Sequence, residues 1–320
     1  MIPKYFSLKE KINEDIVNGK YPLGSNLPTE VQLAAIYKVS RSTVRQALNL
    51  LVSDGIIEKK WGSGNTVISI SNSIKKSTVM LIIPDKSKND RENAIVDMTS
   101  LLLKEGYSLE IMTTEGKFAK EREYLRELTK DMYGGLIIAT TQSHMPSPNS
   151  DLIQLLLKRK LPVIFVGSHP KDIYNVSTIA FDDYDRGYQN ARRFINMGYK
   201  KVGGIFLYDD EASVSSFHGF VDAIRDANLP VLDDCYLWCP SFERPGANLR
   251  STVGINRFLK NALKIASAIY SDDGTLTFDG TFPVYLNGLT PAKSIGKEIA
   301  KQFLAQKKNG NNKNVTIPYK

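Results

Sequence analysis

Two hydrophobic periodicities divide the chain. Between residues 29 and 51 the apolar positions recur with helical spacing and form one side of each of two successive predicted helices: Leu33, Ala34 and Tyr37, then Val44, Ala47, Leu48 and Leu51. Beyond residue 78, short apolar β-rich runs alternate mostly with segments of helical period. The first pattern predicts a small helical unit, and the second predicts repeated βα units.

Both helices of the first unit carry sequence signals for their starts. Thr29 and Gln32 fit a capping box, in which the hydroxyl accepts an amide of the first turn and the glutamine side chain reaches back. Ser40 is a favourable N-cap for the second helix. Gly55 ends that helix, and two short strands are predicted around the Gly-rich turn 61–65.

The second helix has a polar side opposite its apolar side, formed by Arg41, Ser42, Arg45 and Asn49. Two arginines one turn apart at a helix N-terminus suit phosphate oxygens and guanine edges, and such a helix fits the major groove. Glycines let the turn between the strands approach a DNA backbone closely. The alternative is a small helical domain with a solvated basic face, which the ordered combination of parts disfavours.

The first 70 residues resemble the winged helix-turn-helix of the GntR family in the motifs LPTE, VSRSTVRQAL, DGII and GSGNTV. The resemblance implies a DNA-contacting set of Thr29, Arg41, Ser42, Thr43 and Arg45, and a wing tip of Gly62, Ser63 and Gly64. Residues 2–5 and 9–12 further resemble the arabinose-repressor branch, which implies that Lys4 touches DNA.

Charge agrees with a DNA-binding N-terminal segment. The chain of 320 residues has a formal net charge of +8, and residues 1–75 hold 10 Lys and Arg against 6 Asp and Glu, hence +4. Net positive charge per residue is about three times higher there than in the remainder, which is the electrostatic footprint of a phosphate-binding module. The length predicts two domains, 1–69 and 78–320, joined by a polar linker at 70–77.

The larger domain is predicted to be α/β. Its β-rich runs are 79–84, 109–113, 136–140, 163–167, 178–181 and 202–207, and its helical segments include 91–105, 119–131, 151–159 and 184–197. Such alternation predicts mainly parallel sheets covered on both faces. Ligands of these sheets bind beyond the carboxyl ends of the strands, which makes the following loop residues candidates for an effector cleft: Asp85, Thr141, His169, Asp182, Asp183 and Asp209.

Residues 77–320 resemble the periplasmic-binding-protein-like effector domain of the lac repressor family, most clearly at 181–187, 197–206, 218–220 and 295–300. The resemblance implies two lobes around a sugar or another small polar ligand, with Asp279 at the position of a sugar-binding aspartate. In that family a ligand-binding arginine precedes the Gly-Phe pair by three residues, and this chain has Ser216 there.

The sequence also predicts a shortened C-terminal lobe. The apolar run 268–271 leads through Asp272-Asp273-Gly274 almost directly to 277–280, whereas a parallel crossover needs at least ~10 to 12 connecting residues. Asp272-Asp273-Gly274 carries a hairpin signal instead. This spacing predicts that a crossover helix is missing and that the two strands are antiparallel or that one leaves the sheet.

These patterns together predict a transcriptional regulator, most simply a repressor, that binds a palindromic operator as a homodimer under control of a sugar-like effector. A DNA-binding dimer with a vestigial cleft is the alternative. An enzyme fused to a GntR head is a third possibility, but the chain shows no context for a Schiff-base lysine. The carboxylates at strand ends could also act as paired acids on a glycosidic bond, although helix capping and binding of sugar hydroxyls are the commoner roles.

Apolar runs, cysteines and histidines give no sign of a membrane protein, a metalloprotein or an enzyme. Apolar runs stay below the ~18 residues of a membrane span, so a cytoplasmic location without a membrane partner is expected. Cys235 and Cys239 have no nearby histidine, and the three histidines are scattered. We therefore expect no metal, no cofactor and no catalytic residue.

Overall fold

A computed structural model describes residues 4–60, 64–69, 77–85, 89–130, 133–241, 249–262, 264–271, 284–286 and 289–320. The strands of these residues form three sheets, one of two strands, one of six and one of four. We call the parts built on them the head, the first lobe and the second lobe.

The head consists of three helices and a two-stranded ribbon: α1 (Lys4–Val17), α2 (Glu30–Tyr37), α3 (Arg41–Ser53), β1 (Ile57–Lys60) and β2 (Gly64–Val67). The two strands are antiparallel, with Ile57 opposite Val67. Apolar residues from all three helices and both strands share one core, which includes Ile12, Leu33 and Leu51. The helix and ribbon predictions for this segment are confirmed.

The first lobe is built on a six-stranded parallel sheet in the order β12-β7-β6-β5-β3-β4. Its elements are β3 (Thr78–Ile83), α4 (Asn89–Lys104), β4 (Ser108–Thr113), α5 (Phe118–Leu128), β5 (Gly135–Ile138), α6 (Ser150–Lys158), β6 (Val163–Val166), β7 (Ser177–Phe181), α10 (Ile295–Asn309) and β12 (Val315–Ile317). Met80 and Ile82 face one core and Val79 and Leu81 face another, because a sheet covered by helices on both sides buries both faces of its strands. The alternating pattern therefore predicted this layer correctly.

The second lobe is built on a four-stranded parallel sheet in the order β11-β10-β8-β9. Its elements are α7 (Asp183–Asn196), β8 (Val202–Leu207), α8 (Glu211–Asp226), β9 (Tyr236–Cys239), α9 (Leu249–Ala262), β10 (Ala268–Ser271) and β11 (Val284–Leu286). Phe206, Phe220 and Tyr270 pack together in its core. The rings of Phe220 and Tyr270 are stacked, and the ring of Phe206 meets that of Phe220 edge to face with centroids 5.8 Å apart. Phe206 is fully buried in this core.

Two glycines allow α7 and α8 to pack against each other in close contact. A Cβ atom on Gly187 would lie 1.8 Å from the carbonyl oxygen of Ser216, and a Cβ atom on Gly219 would lie 2.0 Å from the carbonyl oxygen of Tyr184. At each glycine, the backbone of the other helix comes so close that a residue with a Cβ atom would collide with it. This packing fixes the start of α8, which faces the first lobe.

Backbone hydrogen bonds hold the crossings between the lobes together. The chain leaves the first sheet after β7 and returns to it after β11. The Asp182 amide donates to the Ile317 carbonyl at 2.9 Å, and the Thr290 and Lys320 backbones pair in both directions. We call these hydrogen-bonded backbone segments between the lobes the hinge.

The prediction that the two strands are antiparallel, or that one of them leaves the sheet, is wrong. β10 and β11 pair in parallel, with Ile269 opposite Val284 and Ser271 opposite Leu286. Residues 272–283 connect the two strands, and a connection of that length reaches the ~10 to 12 residues that a crossover needs. The error came from taking 277–280 as the next strand. Asp279 and the hairpin signal at 272–274 lie outside the described residues.

Candidate DNA-binding surface and inter-lobe cleft

Side-chain caps begin both helices of the helix-turn-helix. The Thr29 hydroxyl accepts a hydrogen bond from the Gln32 amide at 3.3 Å, and the Gln32 side-chain oxygen accepts one from the Thr29 amide at 2.9 Å. The Ser40 hydroxyl accepts one from the Thr43 amide at 3.2 Å. Both caps were predicted, and they place the first turn of α3 at a defined position relative to α2.

The two sides of α3 separate as the periodicity predicted. Val44, Ala47, Leu48 and Leu51 are buried in the head core. Arg41, Ser42, Arg45 and Asn49 are exposed along the opposite side. Because the core fixes one side of the helix, the polar side is presented as a rigid surface.

Glu30 orients the Arg45 guanidinium. Arg45 Nε lies 3.2 Å from Glu30 Oε1, and Arg45 Nη2 lies 2.8 Å from Oε2, which is a two-point contact between planar groups. The hydrogen bond from Arg45 lowers the pKa of Glu30, and the positive charges of Arg41 and Lys59 act in the same direction. Arg45 remains exposed, with 61% of its side chain accessible to solvent. Glu30 therefore orients the guanidinium without covering it.

Three predicted hydroxyl groups are used to hold the helix starts. Thr29 donates to the Gln32 side-chain oxygen at 3.0 Å, while Ser42 and Thr43 each bond to the Ser40 hydroxyl, at 2.9 and 2.7 Å. Lys4 is exposed at the first residue of α1.

Gly64 begins β2 with a φ of +87°, a conformation that favours glycine, whereas Gly62 and Ser63 lie outside the described residues. Of the predicted set, only Arg41, Arg45, Thr29, Ser42 and Thr43 are brought together by α2 and α3.

The cleft between the lobes has one lip in the first lobe, formed by residues 140–149 after β5. Fully buried Glu121 supports it, because its carboxylate accepts hydrogen bonds from the Thr141 amide at 2.7 Å and from Asn149 Nδ2 at 2.9 Å. The Thr141 hydroxyl, predicted to bind an effector, is 2.9 Å from the Thr114 hydroxyl and almost fully buried. The buried carboxylate therefore fixes this lip to α5.

The other lip is the turn between β8 and α8. Asp209 is 1% exposed, and its carboxylate accepts hydrogen bonds from the amide and the hydroxyl of Ser241, both at 2.8 Å. Asp210 caps α8 by accepting from the Ala212 amide at 3.2 Å. The turn is thus held on both of its sides by its own lobe.

Four hydrogen bonds join the two lips directly. The Ser143 hydroxyl accepts from the Glu211 amide at 2.9 Å and lies 3.3 Å from Asp210 Oδ1. The His144 amide donates to the Asp209 carbonyl at 3.1 Å, and His144 Nδ1 lies 2.7 Å from Glu211 Oε2.

Two further predicted acids lie at the hinge. Asp182 caps α7 by accepting from the Asp185 amide at 3.0 Å. Asp183 Oδ1 lies 3.0 Å from Arg186 Nε and 3.4 Å from the Tyr319 hydroxyl, and both Asp183 and Arg186 are largely buried. Both acids therefore have structural partners within the protein.

Two family models match successive segments of the chain, one over the head and one over most of the two lobes. Residues 4–67 match the gntR family of bacterial regulatory proteins. Residues 76–303 match the periplasmic binding proteins and sugar-binding domain of the LacI family, which is more than two thirds of the chain. The chain belongs to this LacI-type family. Its head is a GntR-family helix-turn-helix domain.

Two similar curated proteins are arabinose metabolism transcriptional repressors. The one from Geobacillus stearothermophilus is 27% identical over 238 residues, which are 74% of this chain and 65% of the relative. The one from Halalkalibacterium halodurans is 25% identical over 235 residues, which are 72% and 62% of the two chains. The matched region thus spans less than two thirds of either relative.

Solved structures of LacI-type regulators share the fold. The transcriptional regulator CelR in complex with cellobiose has a TM-score of 0.62 at 13% identity, covering 92% of this chain and 98% of that one. A LacI family transcriptional regulator from Enterococcus faecium with bound ribose has a TM-score of 0.58 at 17% identity, covering 76% and 96%.

Within this LacI-type body, the other predicted effector residues have separate positions. Asp85 follows β3 and is half-buried, and His169 Nδ1 lies 2.9 Å from the Pro170 carbonyl. Ser216, which replaces the expected arginine, is fully buried between α8 and α7. A side chain larger than that of serine would therefore have little room at position 216.

Glu30 and the three lip residues Ser143, His144 and Glu211 were not among the residues predicted from the sequence. Glu30 is part of the LPTE motif, and its place at the first turn of α2, next to a helix-turn-helix arginine, was an available signal. The lip residues carry no local signal, because their partners are 67 or 68 positions away in sequence.

Three further features of the described part of the chain concern membrane-spanning helices, metal-ligand clusters and the two cysteines. No helix there is long and apolar enough to cross a membrane. In the same residues, no group of three or more His, Cys, Asp and Glu side chains is arranged to hold a metal ion. Cys235 and Cys239 are buried free thiols, and burial raises the pKa of Cys235.

Proposed function

We propose that this protein is a sequence-specific DNA-binding transcriptional repressor whose affinity for its operator is controlled by a small sugar-like effector. The observation that carries the proposal is the exposed arginine side of α3, with Arg45 aimed by Glu30, on a GntR head that continues into a LacI-type body. Such a protein acts in the cytoplasm, where operator DNA is found.

In this proposal, Arg41 and Arg45 read base edges in the major groove. The groups expected to contact mainly phosphates or the minor groove are Lys4, Thr29, Ser42, Thr43 and the wing tip Gly62, Ser63 and Gly64. These contacts set the position of the head on the duplex and carry little sequence information. A homodimer would match its two-fold symmetry to a palindromic operator.

The DNA-binding part is tested by selecting bound sequences from random DNA duplexes with the purified protein. We expect a palindromic consensus whose half-sites are separated by about one helical turn or a multiple of it. Fluorescence anisotropy at several salt concentrations then measures affinity for the consensus and for a scrambled duplex. Equal affinity for both duplexes would contradict sequence-specific binding.

The effector is proposed to bind between the lobes, near the carboxyl ends of the parallel strands, among residues drawn from Asp85, Thr141, His169, Asp182, Asp183, Asp209 and Asp279. Arabinose is the first ligand to test, because two relatives are named arabinose metabolism repressors. A thermal-shift screen of pentoses, hexoses, their phosphates and nucleosides tests the proposal, since a ligand that binds the folded state raises the melting temperature.

A DNA-binding dimer with a vestigial cleft is a second candidate. It is favoured by Ser216 in place of a ligand-binding arginine and by the structural partners of Thr141, Asp183 and Asp209. Cooperative melting with no shift for any sugar would support it. A shift together with release of the selected operator would support the sensor.

The domain limits 1–69, 70–77 and 78–320 are proposed on the same basis. Limited proteolysis should cut first within residues 70–77 and leave two folded fragments. Cuts elsewhere, before this segment is cleaved, would contradict these limits.

A further inference from the structure

We propose that Ser143 and His144 of the first lobe, together with Asp209, Asp210 and Glu211 of the second, form a latch that closes the cleft and controls how fast an effector enters and leaves. We call this set the inter-lobe latch. The proposal rests on the proposed function in one respect, namely that the cleft takes an effector.

The latch completes a helix end across the two lobes. The first amides of a helix lack partners within the helix, and Ser143 supplies one for the Glu211 amide from the other lobe, at 2.9 Å. Asp210 supplies another from its own lobe to the Ala212 amide. Separation of the lobes therefore removes the acceptor that Ser143 provides at the start of α8.

The His144 side chain adds a second, independent connection. Its Nδ1 atom donates to the Glu211 carboxylate at 2.7 Å, because a carboxylate can only accept. The two side chains are 30% and 37% accessible, so the contact is at the mouth of the cleft rather than in its depth. All four latch bonds connect protein atoms, and the contact therefore needs no third molecule.

Both halves of the latch are held rigid by their own lobe. Glu121 fixes the first lip through Thr141 and Asn149, and Ser241 fixes Asp209 in the second lip. Gly187 and Gly219 fix α8 against α7. Preorganised partners lose little conformational freedom when they meet, which favours closure.

The hinge and the latch lie at different connections between the lobes. The hinge is covalent and held by backbone bonds of residues 182, 290–292 and 317–320, whereas the latch consists of side chains and one backbone bond from separate loops. A ligand enclosed between the lobes must leave through the side that the noncovalent latch closes. Because the latch bonds involve protein atoms alone, we expect them to form both with and without an enclosed sugar. Their contribution then cancels from the equilibrium affinity and slows both entry and release.

Amide exchange of residue 144 tests the latch without any effector. The amide of His144 bonds to the Asp209 carbonyl, and neither Ser143→Ala nor Glu211→Ala removes that backbone bond. If these side chains keep the lobes together, each substitution should speed hydrogen–deuterium exchange at residue 144 by about three- to tenfold or more, because Glu211→Ala removes one inter-lobe hydrogen bond and Ser143→Ala removes two.

His218→Ala is the matched control, because His218 is an exposed histidine on α8, away from the lips. It should leave exchange at residue 144 unchanged. Faster exchange confined to residue 211 in Ser143→Ala, with residue 144 unchanged in both variants, would mean that only a helix cap was lost and would overturn the proposal.

Stopped-flow measurements with arabinose, ribose and cellobiose test the second part. For a sugar that binds the full-length protein, both variants should speed association and dissociation about three- to tenfold and change Kd less than twofold. A changed Kd at unchanged rates would overturn the proposed role in entry. If no sugar binds the unsubstituted protein, the sensor function fails, and exchange at residue 144 still decides whether the latch exists.

Discussion

The proposed DNA-reading surface of the head and the cleft of the body use the same kinds of polar side chains in different ways. On α3, Arg41 and Arg45 are exposed, and Glu30 orients Arg45 without covering it. At the cleft, Asp209 is buried under Ser241 and Glu211 is bonded to His144. The α3 surface leaves polar groups exposed to solvent, whereas many of the polar groups at the cleft lips are hydrogen-bonded within the protein.

This difference predicts that changes in the body act on stability and lobe closure, while changes on the α3 surface act on DNA recognition alone. Four substitutions test the contrast.

Gly187→Ala should have the largest effect. The new methyl group would lie 1.8 Å from the carbonyl of Ser216, so α7 and α8 must move apart. We expect a loss of about 3 kcal/mol in the free energy of unfolding of the body, measured by urea denaturation. The control Gly254→Ala meets no atom within 4 Å on α9 and should stabilise by about 0.5 to 1 kcal/mol. Equal stability of the two variants would contradict the close packing.

Glu121→Ala should come next. It leaves the Thr141 amide and the Asn149 side chain without their acceptor in a fully buried site, which costs about 2 kcal/mol or more. The first lip should loosen as well, visible as faster amide exchange at residues 141–145. Glu123→Ala, an exposed carboxylate on the same helix, should change neither quantity. If Glu121→Ala leaves exchange at the lip unchanged, the lip has another support.

How far the sequence predicts each region follows from the distance between partners. The caps at Thr29 and Ser40 and the two sides of α3 depend on residues within a few positions, and all were predicted. The parallel sheets were predicted too, because buried strands leave an apolar run. The register that pairs Ile269 with Val284 was not, since the short spacing between 268–271 and 277–280 suggested a nearer strand.

The cleft shows where local patterns stop being informative. Asp182 and Asp209 were selected because they follow strands, but the same position also suits helix caps and turn supports, which are the roles they have here. His144 and Glu211 are 67 positions apart in sequence and meet only where the two lobes come into contact. No spacing within either segment encodes that contact.

Arg45→Ala should weaken binding to the selected operator roughly tenfold to a hundredfold and reduce discrimination between bases, with unchanged stability of the body. Lys4→Ala should weaken operator and scrambled DNA to a similar extent and reduce the salt dependence, because a phosphate contact carries no sequence information. Arg193→Ala, an exposed arginine on α7, is the control and should leave DNA binding unchanged. An equal loss on both duplexes for Arg45→Ala would contradict base readout.

Glu30→Gln should have the smallest effect. The amide keeps one acceptor for Arg45 and loses the charge, so discrimination should fall by only a few-fold in anisotropy titrations. The hydrogen bond from Arg45 lowers the pKa of Glu30 in the folded head below its ordinary value of 4.5. A lowered folded pKa adds stability that is fully present above the unfolded pKa and is lost as pH falls through the folded one. The unsubstituted head should therefore lose slightly more stability than Glu30→Gln in thermal melts below about pH 4.5, and the two should run parallel above it. Parallel curves over the whole range would show that the pair orients Arg45 without stabilising the fold.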